Sequence, residues 1–257
     1  MATYNKRGYK PEKPEVEKEE NVHTAVINDT SDTAEVFNSL DTSANKIGSW
    51  FTLNQSKIFM AIGAAAVAAI GYLGYQNFIA EPKEDEASNE MFQAQQYYDQ
   101  AVNGEGTDSL FNLALNGGEG KLGFLGIAET YSGTQAAKLA HYYAGTSYLN
   151  LGKYKEAITH LEKFDSKDLF LKAMSLGAIG DAFAELNQVQ DAFDYYKKAS
   201  EQTPNEFTTP RYAYKAGLMA LELGKKEEAL KLFTNVKENY KGSVEATNID
   251  VYLGMAQ

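Results

Sequence analysis

The chain has 257 residues, no cysteine, and 35 acidic against 24 basic residues, which gives a net charge of −11. The absence of cysteine excludes disulfides, thiol nucleophiles and thiolate metal sites. An acidic surface without a basic cluster argues against nucleic acid, or an anionic lipid surface, as the partner. The length is enough for one sizeable folded core.

The first part of the chain changes character near residue 32. Residues 1–31 are rich in proline and charge, which predicts a disordered cytoplasmic tail. Over 32–57, apolar residues recur every three or four positions, and the chain's single tryptophan, Trp50, lies just ahead of an apolar run. This pattern favours an amphipathic helix at a membrane interface. An irregular linker is the alternative.

The apolar run covers residues 58–79 and contains no charged residue over 22 positions. As a helix it would be roughly 33 Å long, close to the thickness of a hydrocarbon core. It begins too far along the chain for a cleaved signal peptide. Lys46 and Lys57 precede it, whereas Lys83 follows among four acidic residues, so the positive-inside rule places the N-terminus in the cytoplasm. We therefore expect a single-pass membrane protein with a translocated C-terminal part, which in a diderm bacterium means an inner-membrane protein with a periplasmic domain.

Small residues are abundant within this transmembrane segment. Gly63, Val67, Ile70 and Gly74 fall on one helical stripe. Small residues allow helices to approach closely, so the stripe is a candidate contact with another membrane protein. The alternative is that alanine and glycine here reflect composition only.

After the span, residues 80–88 are predicted to form an acidic linker in which Pro82 ends the membrane helix. Residues 89–257 are predicted to form one folded domain. Its first helix, 89–102, resembles the second helix of a helical hairpin.

A glycine motif follows at Gly118, Gly120 and Gly123, with the spacing G-x-G-x-x-G. This motif binds a dinucleotide when it follows a β-strand and opens a βαβ unit. The preceding segment is a poor strand sequence and the downstream chain is helical in pattern. We therefore expect a flexible connection between helices, and no nucleotide or other cofactor.

From residue 134 the chain repeats itself, with Gly145, Gly180 and Gly217 separated by 35 and 37 residues. An alanine lies 12 residues after each glycine, and a large side chain four residues later: Ala157, Ala192 and Ala229, then Leu161, Tyr196 and Phe233. The period and the small/aromatic pattern resemble the tetratricopeptide repeat. The glycines are predicted to lie where the two helices of a hairpin come closest.

The resemblance implies an all-α fold: a single N-terminal transmembrane helix followed by an α-solenoid of three to four helical hairpins. The hairpins are expected at about 134–165, 169–202 and 209–240, with a terminal helix at 243–257 whose Val251 and Leu253 cap the stack. Gly152, Asn187 and Gly224 would turn each hairpin in a left-handed conformation.

Repeats of this kind bind partners along the concave face made by their first helices. The residues predicted there are Leu139, Tyr142, Thr146, Leu149, Met174, Asp181, Arg211, Tyr214 and Leu218. Tyrosine, methionine and leucine would hold an extended or helical peptide, with Arg211 and Asp181 orienting it. The alternative is that the helix at 89–102 folds back into this groove.

Catalytic patterns are missing from the sequence. The three histidines, His23, His141 and His160, have no neighbouring ligand pattern, and the acidic residues are spread over helix faces. We expect no catalytic, cofactor or metal site, no small-molecule substrate, and hence no enzyme.

The order of tail, anchor, acidic segment and repeats over about residues 55–257 resembles the ancillary Sec translocon subunit family, particularly in the segment FNLALNGGEGKLGFLGIAETYSGTQAAKLAHYYAGTSYLNLGKYKEAITHLEKF. The resemblance implies an accessory subunit or co-chaperone in contact with membrane lipid, with a SecYEG-type channel, and with a membrane-anchored periplasmic chaperone of the peptidyl-prolyl isomerase type. The alternative is an envelope scaffold for cell-wall assembly or division.

Overall fold

The structure is a computed structural model that describes residues 32–104 and 107–257. The predicted tail, 1–31, lies outside the described residues. The described residues divide into two units, one up to Val67 and one from Ala68 onward. The helices are α1 (Asp32–Tyr75), α2 (Glu81–Val102), α3 (Thr107–Asn116), α4 (Phe124–Thr130), α5 (Gln135–Asn150), α6 (Tyr154–Leu161), α7 (Leu169–Glu185), α8 (Val189–Glu201), α9 (Thr208–Glu222), α10 (Lys226–Asn239) and α11 (Ile249–Ala256). The described residues contain no β-strand, which confirms the all-α prediction.

In the first unit, the described residues belong to α1, which begins at Asp32 and continues without a break into the apolar run. The alternative of an irregular linker at 32–57 is therefore wrong. These residues are helical, but they form one helix with the apolar run and not a separate helix. The placement of 32–57 on a membrane surface stays a prediction.

The continuous helical stretch Ala44–Val102 is long and apolar enough to cross a membrane. Its most apolar 18-residue window has a mean hydropathy of 1.8, and none of that window is buried. Gly63, Val67, Ile70 and Gly74 follow one another at helical spacings of four and three, so they share a face of α1. Within the part of the chain that the structure describes, no side chain covers Gly63 or Gly74.

Pro82 does not end the helix, contrary to the sequence prediction. A π-helical turn, Gln76–Ala80, joins α1 to α2, and Pro82 lies in the first turn of α2. The Glu81 N–H donates to the Gln76 carbonyl five residues back, which widens the turn. The wider turn accommodates the proline ring, which an unbroken α-helix would push against a carbonyl. The acidic stretch is therefore helical.

The segment from α2 to α4 packs on α5 around one apolar cluster, which we call the joint cluster. The Phe124 ring of α4 stacks on Tyr143 of α5 at 5.0 Å between centroids, and Tyr98 of α2 meets Tyr143 edge-on at 5.0 Å. Buried Met91 and Leu115 complete the cluster. Because α2 pairs with α3, which follows it, α2 is the first helix of a hairpin and not the second.

The three hairpins α5/α6, α7/α8 and α9/α10 each close on a glycine, as the repeat pattern predicts. A Cβ on Gly145 would meet Leu161, and a Cβ on Gly180 or Gly217 would collide with the ring of Tyr196 or Phe233. The missing side chain therefore lets the two helices of each hairpin touch.

The turns of the hairpins have the backbone conformation that the sequence predicts, and a terminal helix closes the stack. Gly152, Asn187 and Gly224 have φ of 69°, 60° and 72°, the predicted left-handed conformation. The helix α11 covers the last hairpin, with Ile249 and Ala256 buried and Leu253 partly buried. Val251 was wrongly predicted to cap the stack, because it faces solvent.

The G-x-G-x-x-G stretch connects α3 to α4 and follows a helix, not a strand. Any side chain at Gly123 would collide with the backbone of Leu115 and Gly117. The Lys121 N–H donates to the Gly118 carbonyl at 2.9 Å. The glycines therefore close a tight turn that joins the two helices, and the flexibility expected of this connection stays a prediction.

Candidate partner-binding groove

Two adjoining cavities lie along the first helices of the repeats. The first cavity, of about 370 Å³, is lined by Leu149, Tyr154, Asp181, Ala184, Glu185, Tyr196 and Lys215. The second cavity, of about 430 Å³, is lined by Arg211, Tyr214, Lys215, Leu218, Val244, Glu245, Asn248 and Tyr252. Lys215 of α9 lines both cavities, so they form one groove that runs from α5 to α11.

Asp181 is held from within the protein. Its Oδ1 accepts a hydrogen bond from the Tyr196 hydroxyl at 2.6 Å and from Lys215 Nζ at 2.5 Å. Burial and the neighbouring Asp181 carboxylate raise the pKa of Tyr196, which keeps that hydroxyl a donor. Asp181 therefore fixes Lys215 between the two cavities, and both partners bind a single oxygen, Oδ1, of the carboxylate that we expected to orient a ligand.

Arg211 differs from Asp181 in its contacts within the protein. Its side chain is exposed in the second cavity and makes no ion pair with any residue that the structure describes. A guanidinium in this position presents its donors to whatever enters the cavity, and a carboxylate is the group it binds best.

The apolar wall of the second cavity comes from an aromatic cluster. Tyr214 meets Tyr252 of α11 edge-on at 5.1 Å and lies 6.0 Å from the buried ring of Phe233. Burial and the hydroxyl of Tyr252 raise the pKa of Tyr214. Leu218 packs beside them. Rigid tyrosines with one polar edge are the side chains that anchor bound peptides most often.

The predicted groove residues of α5 take part mainly in packing. Tyr142 lies 5.2 Å from the Phe164 ring, and burial raises the pKa of its hydroxyl. The buried Thr146 hydroxyl donates to the Tyr142 carbonyl at 3.1 Å, and Leu139 packs on the joint cluster. Of the other predicted residues, Met174 lines neither cavity. The groove therefore keeps Leu149, Asp181, Arg211, Tyr214 and Leu218 of the predicted set.

For the predicted groove residues of α5, the contacts favour the alternative that the helix at 89–102 folds back onto them. Leu139 packs on the cluster to which α2 contributes, and Thr146 forms a hydrogen bond with the Tyr98 side chain of α2. α2 packs against the part of α5 that carries Leu139 and Tyr143. No residue of α2 lines either cavity. Lys215, Tyr196 and Tyr252 are among the lining residues that the sequence pattern did not identify.

The structure also brings together two histidines that the sequence separates. The Nδ1 atoms of His141 on α5 and His160 on α6 are 3.1 Å apart. Burial, and then the neighbouring His141, lower the pKa of His160 to about 4, and burial lowers the pKa of His141. Among residues 32–104 and 107–257, no three His, Asp or Glu side chains form a group that could hold a metal.

A family model described as "Tetratricopeptide repeat" matches residues 139–167 and 212–243. These matches cover most of the α5/α6 and α9/α10 hairpins. Both segments are therefore similar to the tetratricopeptide repeat. No curated protein matches the chain. The α7/α8 hairpin between the two segments carries the same pair of a glycine and a large side chain, and the three hairpins together form an α-solenoid. Stacked repeats of this type mediate protein–protein interaction.

Proposed function

We propose that this protein is a non-enzymatic accessory subunit or co-chaperone of a Sec-type protein translocon. Its repeat domain lies in the periplasm and binds a periplasmic chaperone or an emerging polypeptide. A single transmembrane helix at residues 58–79, with its N-terminus in the cytoplasm, holds it in the inner membrane beside the channel. The family resemblance of residues 55–257 supports the translocon, and the groove supports the binding role.

The observation that carries the binding role is the second cavity. It combines an unpaired guanidinium, Arg211, with an apolar wall of Tyr214, Leu218 and Tyr252. An extended or helical peptide segment with an apolar side chain and a nearby carboxylate fits this combination. Glu245 also lines this cavity, and Lys215 is paired with Asp181, so Arg211 is the cation there that remains available to a ligand.

Charge reversal at Arg211 tests this binding role. Arg211→Glu places a carboxylate in the cavity without disturbing the core, because the side chain is exposed. Lys226→Glu is the matched control, since Lys226 is an exposed cation on the second helix of the same hairpin. Full-length protein is isolated from membranes in mild detergent, and its partners are quantified by mass spectrometry. We expect Arg211→Glu to lose the partner and Lys226→Glu to retain it.

The identity of the partner is tested separately by crosslinking in intact membranes followed by mass spectrometry. Channel subunits or a membrane-anchored chaperone among the crosslinked proteins would support the translocon role. Recovery of cell-wall or division enzymes, without any channel or chaperone subunit, would overturn it in favour of the envelope scaffold.

The stripe of Gly63, Val67, Ile70 and Gly74 is the proposed contact with the channel inside the membrane. Small residues on one exposed helix face permit close packing against a second helix. Replacing the span by an unrelated apolar sequence of equal length should weaken association with the channel while the protein stays in the membrane. Unchanged association would place the contact in the repeat domain or the tail.

A further inference from the structure

The starts of the first helices lie along one edge of the repeat domain. α2 and α5 start side by side, because the Glu84 carboxylate in the first turn of α2 accepts from the backbone N–H groups of Gln135 and Ala136, at 2.6 and 2.7 Å. Lys83 Nζ adds a bond to the Ser132 carbonyl at 3.0 Å. In a stack of hairpins the first helices run in the same direction, so the starts of α7, α9 and α11 follow along the same edge. We call this row of loops the tip edge.

The second loop of the tip edge, which leads into α7, exposes apolar side chains beside a capped helix start. Asp168 caps α7, with its Oδ1 accepting from Phe170 N–H at 2.8 Å and from Leu171 N–H at 3.2 Å. The side chains of Leu169 and Phe170, directly after the cap, are exposed. Because Leu169 and Phe170 are neighbours, they expose an apolar patch and not one isolated side chain, and such patches mark interaction sites.

The third loop, before α9, and the fourth loop, after α10, repeat this arrangement. The Asn205 amide oxygen accepts from the N–H groups of Phe207 and Thr208, at 2.9 and 2.8 Å, and holds Phe207 with 76% of its surface exposed. Ser243 Oγ accepts from Ala246 N–H at 3.3 Å, and Val244 is 85% exposed. Three successive loops therefore carry apolar side chains outward on capped backbones.

The first loop of the tip edge adjoins the end of the apolar span. A cavity of about 430 Å³ is lined on one side by Tyr75, Gln76 and Ala80 and on the other by residues 132–135. Residues 76–80 end the apolar run, so in an anchored protein they lie at the level of the lipid headgroups. The tip edge continues from this point.

We propose that the tip edge rests on the outer surface of the lipid bilayer that holds the span, with Leu169, Phe170, Phe207 and Val244 inserted among the headgroups. This inference rests on the proposed membrane anchoring. The charged residues of the same loops have both signs: Lys163, Asp165, Lys167 and Asp168 in one loop, Glu206 in the next, and Lys241 and Glu245 in the last. The contact is therefore apolar and not electrostatic, and it does not require anionic lipid.

The absence of native cysteine permits a direct test in the full-length protein. Single cysteines are introduced as Phe207→Cys at the tip edge, Ile70→Cys in the span and Val102→Cys at the far end of α2. Val102 is a matched apolar control, because it is exposed and lies about 30 Å along α2 from Glu81. Each variant is labelled with an environment-sensitive fluorophore and reconstituted into phosphatidylcholine vesicles with or without spin-labelled acyl chains.

The proposal expects spin-labelled lipid to reduce the emission at positions 70 and 207 and to leave position 102 unchanged, with no effect of raised salt. Loss of emission at 70 without loss at 207 would overturn the tip-edge contact and leave the anchor in place. No loss at 70 would instead overturn the anchor itself. Shielding of position 207 in native membranes, but not in lipid vesicles, would assign the tip edge to a protein and contradict the proposal.

Discussion

The repeats, residues 135–239, and the joint, residues 81–130, are both helical and both well packed, yet they are stabilised in different ways. Each repeat reuses one contact, a glycine facing a large side chain 16 residues later. The joint uses contacts that occur once: the Phe124–Tyr143 stack, the Lys121–Glu90 ion pair at 2.9 Å, and the Glu84 carboxylate on the start of α5.

This difference shows which parts of a solenoid a sequence pattern reveals. A contact that recurs produces a period, and the period identifies the hairpins. A contact that occurs once produces none, so the joint is recognised as helical without any indication of what it packs against. The joint also lies between the proposed anchor and the repeats in the chain. Contacts that occur only once therefore hold the first repeat in place.

The largest expected effect is in the joint. Phe124 is fully buried between Tyr98 and Tyr143. Phe124→Ala leaves a cavity and should reduce the free energy of unfolding by about 4 kcal/mol. Urea unfolding of the detergent-solubilised protein, followed by circular dichroism, measures this loss. A loss near zero would show that the joint contributes little to the fold.

A smaller loss is expected within a repeat. Gly180→Val forces a side chain into the ring of Tyr196 and should cost about 3 kcal/mol by the same unfolding measurement. Gly254→Ala is the control, since nothing lies near Gly254 and alanine favours the helix. Equal stability of the two variants would contradict the close approach of α7 and α8.

The Glu84 contact should contribute less, because it is partly exposed. Glu84→Gln weakens two hydrogen bonds to the start of α5, so we expect a loss of about 1 kcal/mol. Hydrogen exchange at Gln135 and Ala136 should accelerate with it. Asp85→Asn, a neighbouring exposed carboxylate, serves as the control. Slow exchange at both amides in Glu84→Gln would mean that the carboxylate does not hold them.

The smallest effect is a pH dependence from the histidine pair. Because the pKa of His160 is lowered to about 4, the folded state binds fewer protons than the unfolded state. Stability is therefore complete above pH about 6.5 and is lost as the pH falls toward about 4. The ring is half-exposed, so solvent screening limits the loss to about 1 kcal/mol. His160→Gln should make the free energy of unfolding less dependent on pH between these values. An unchanged pH dependence would assign it to carboxylates.

Sequence reasoning predicted most of the fold from a small number of residues. Gly145, Gly180 and Gly217 set the hairpins, because only a missing side chain lets α5, α7 and α9 touch their partners. The prediction that Pro82 ends the helix was wrong, because a π-helical turn accommodates the proline ring and the chain stays helical. Nothing in the sequence signals that turn, since it depends on how the chain continues on both sides.

The groove was predicted in part. Arg211, Tyr214 and Leu218 were identified by their register on a first helix. Lys215 was missed because its position depends on an ion pair with Asp181 one repeat earlier. Tyr252 was missed because α11 has no partner helix and therefore no repeat register. Contacts between repeats are set by the stacking of hairpins, which the period alone does not give.

The central claim is that the second cavity receives a segment of a protein partner. A photoreactive amino acid placed at position 211 in the full-length protein, and activated in intact membranes, tests it most directly. The same amino acid at position 226, on α10, is the control. The account predicts one discrete crosslinked protein from position 211 and none from position 226. Crosslinking from position 226 alone would contradict it and place the interaction on the opposite face of the repeats.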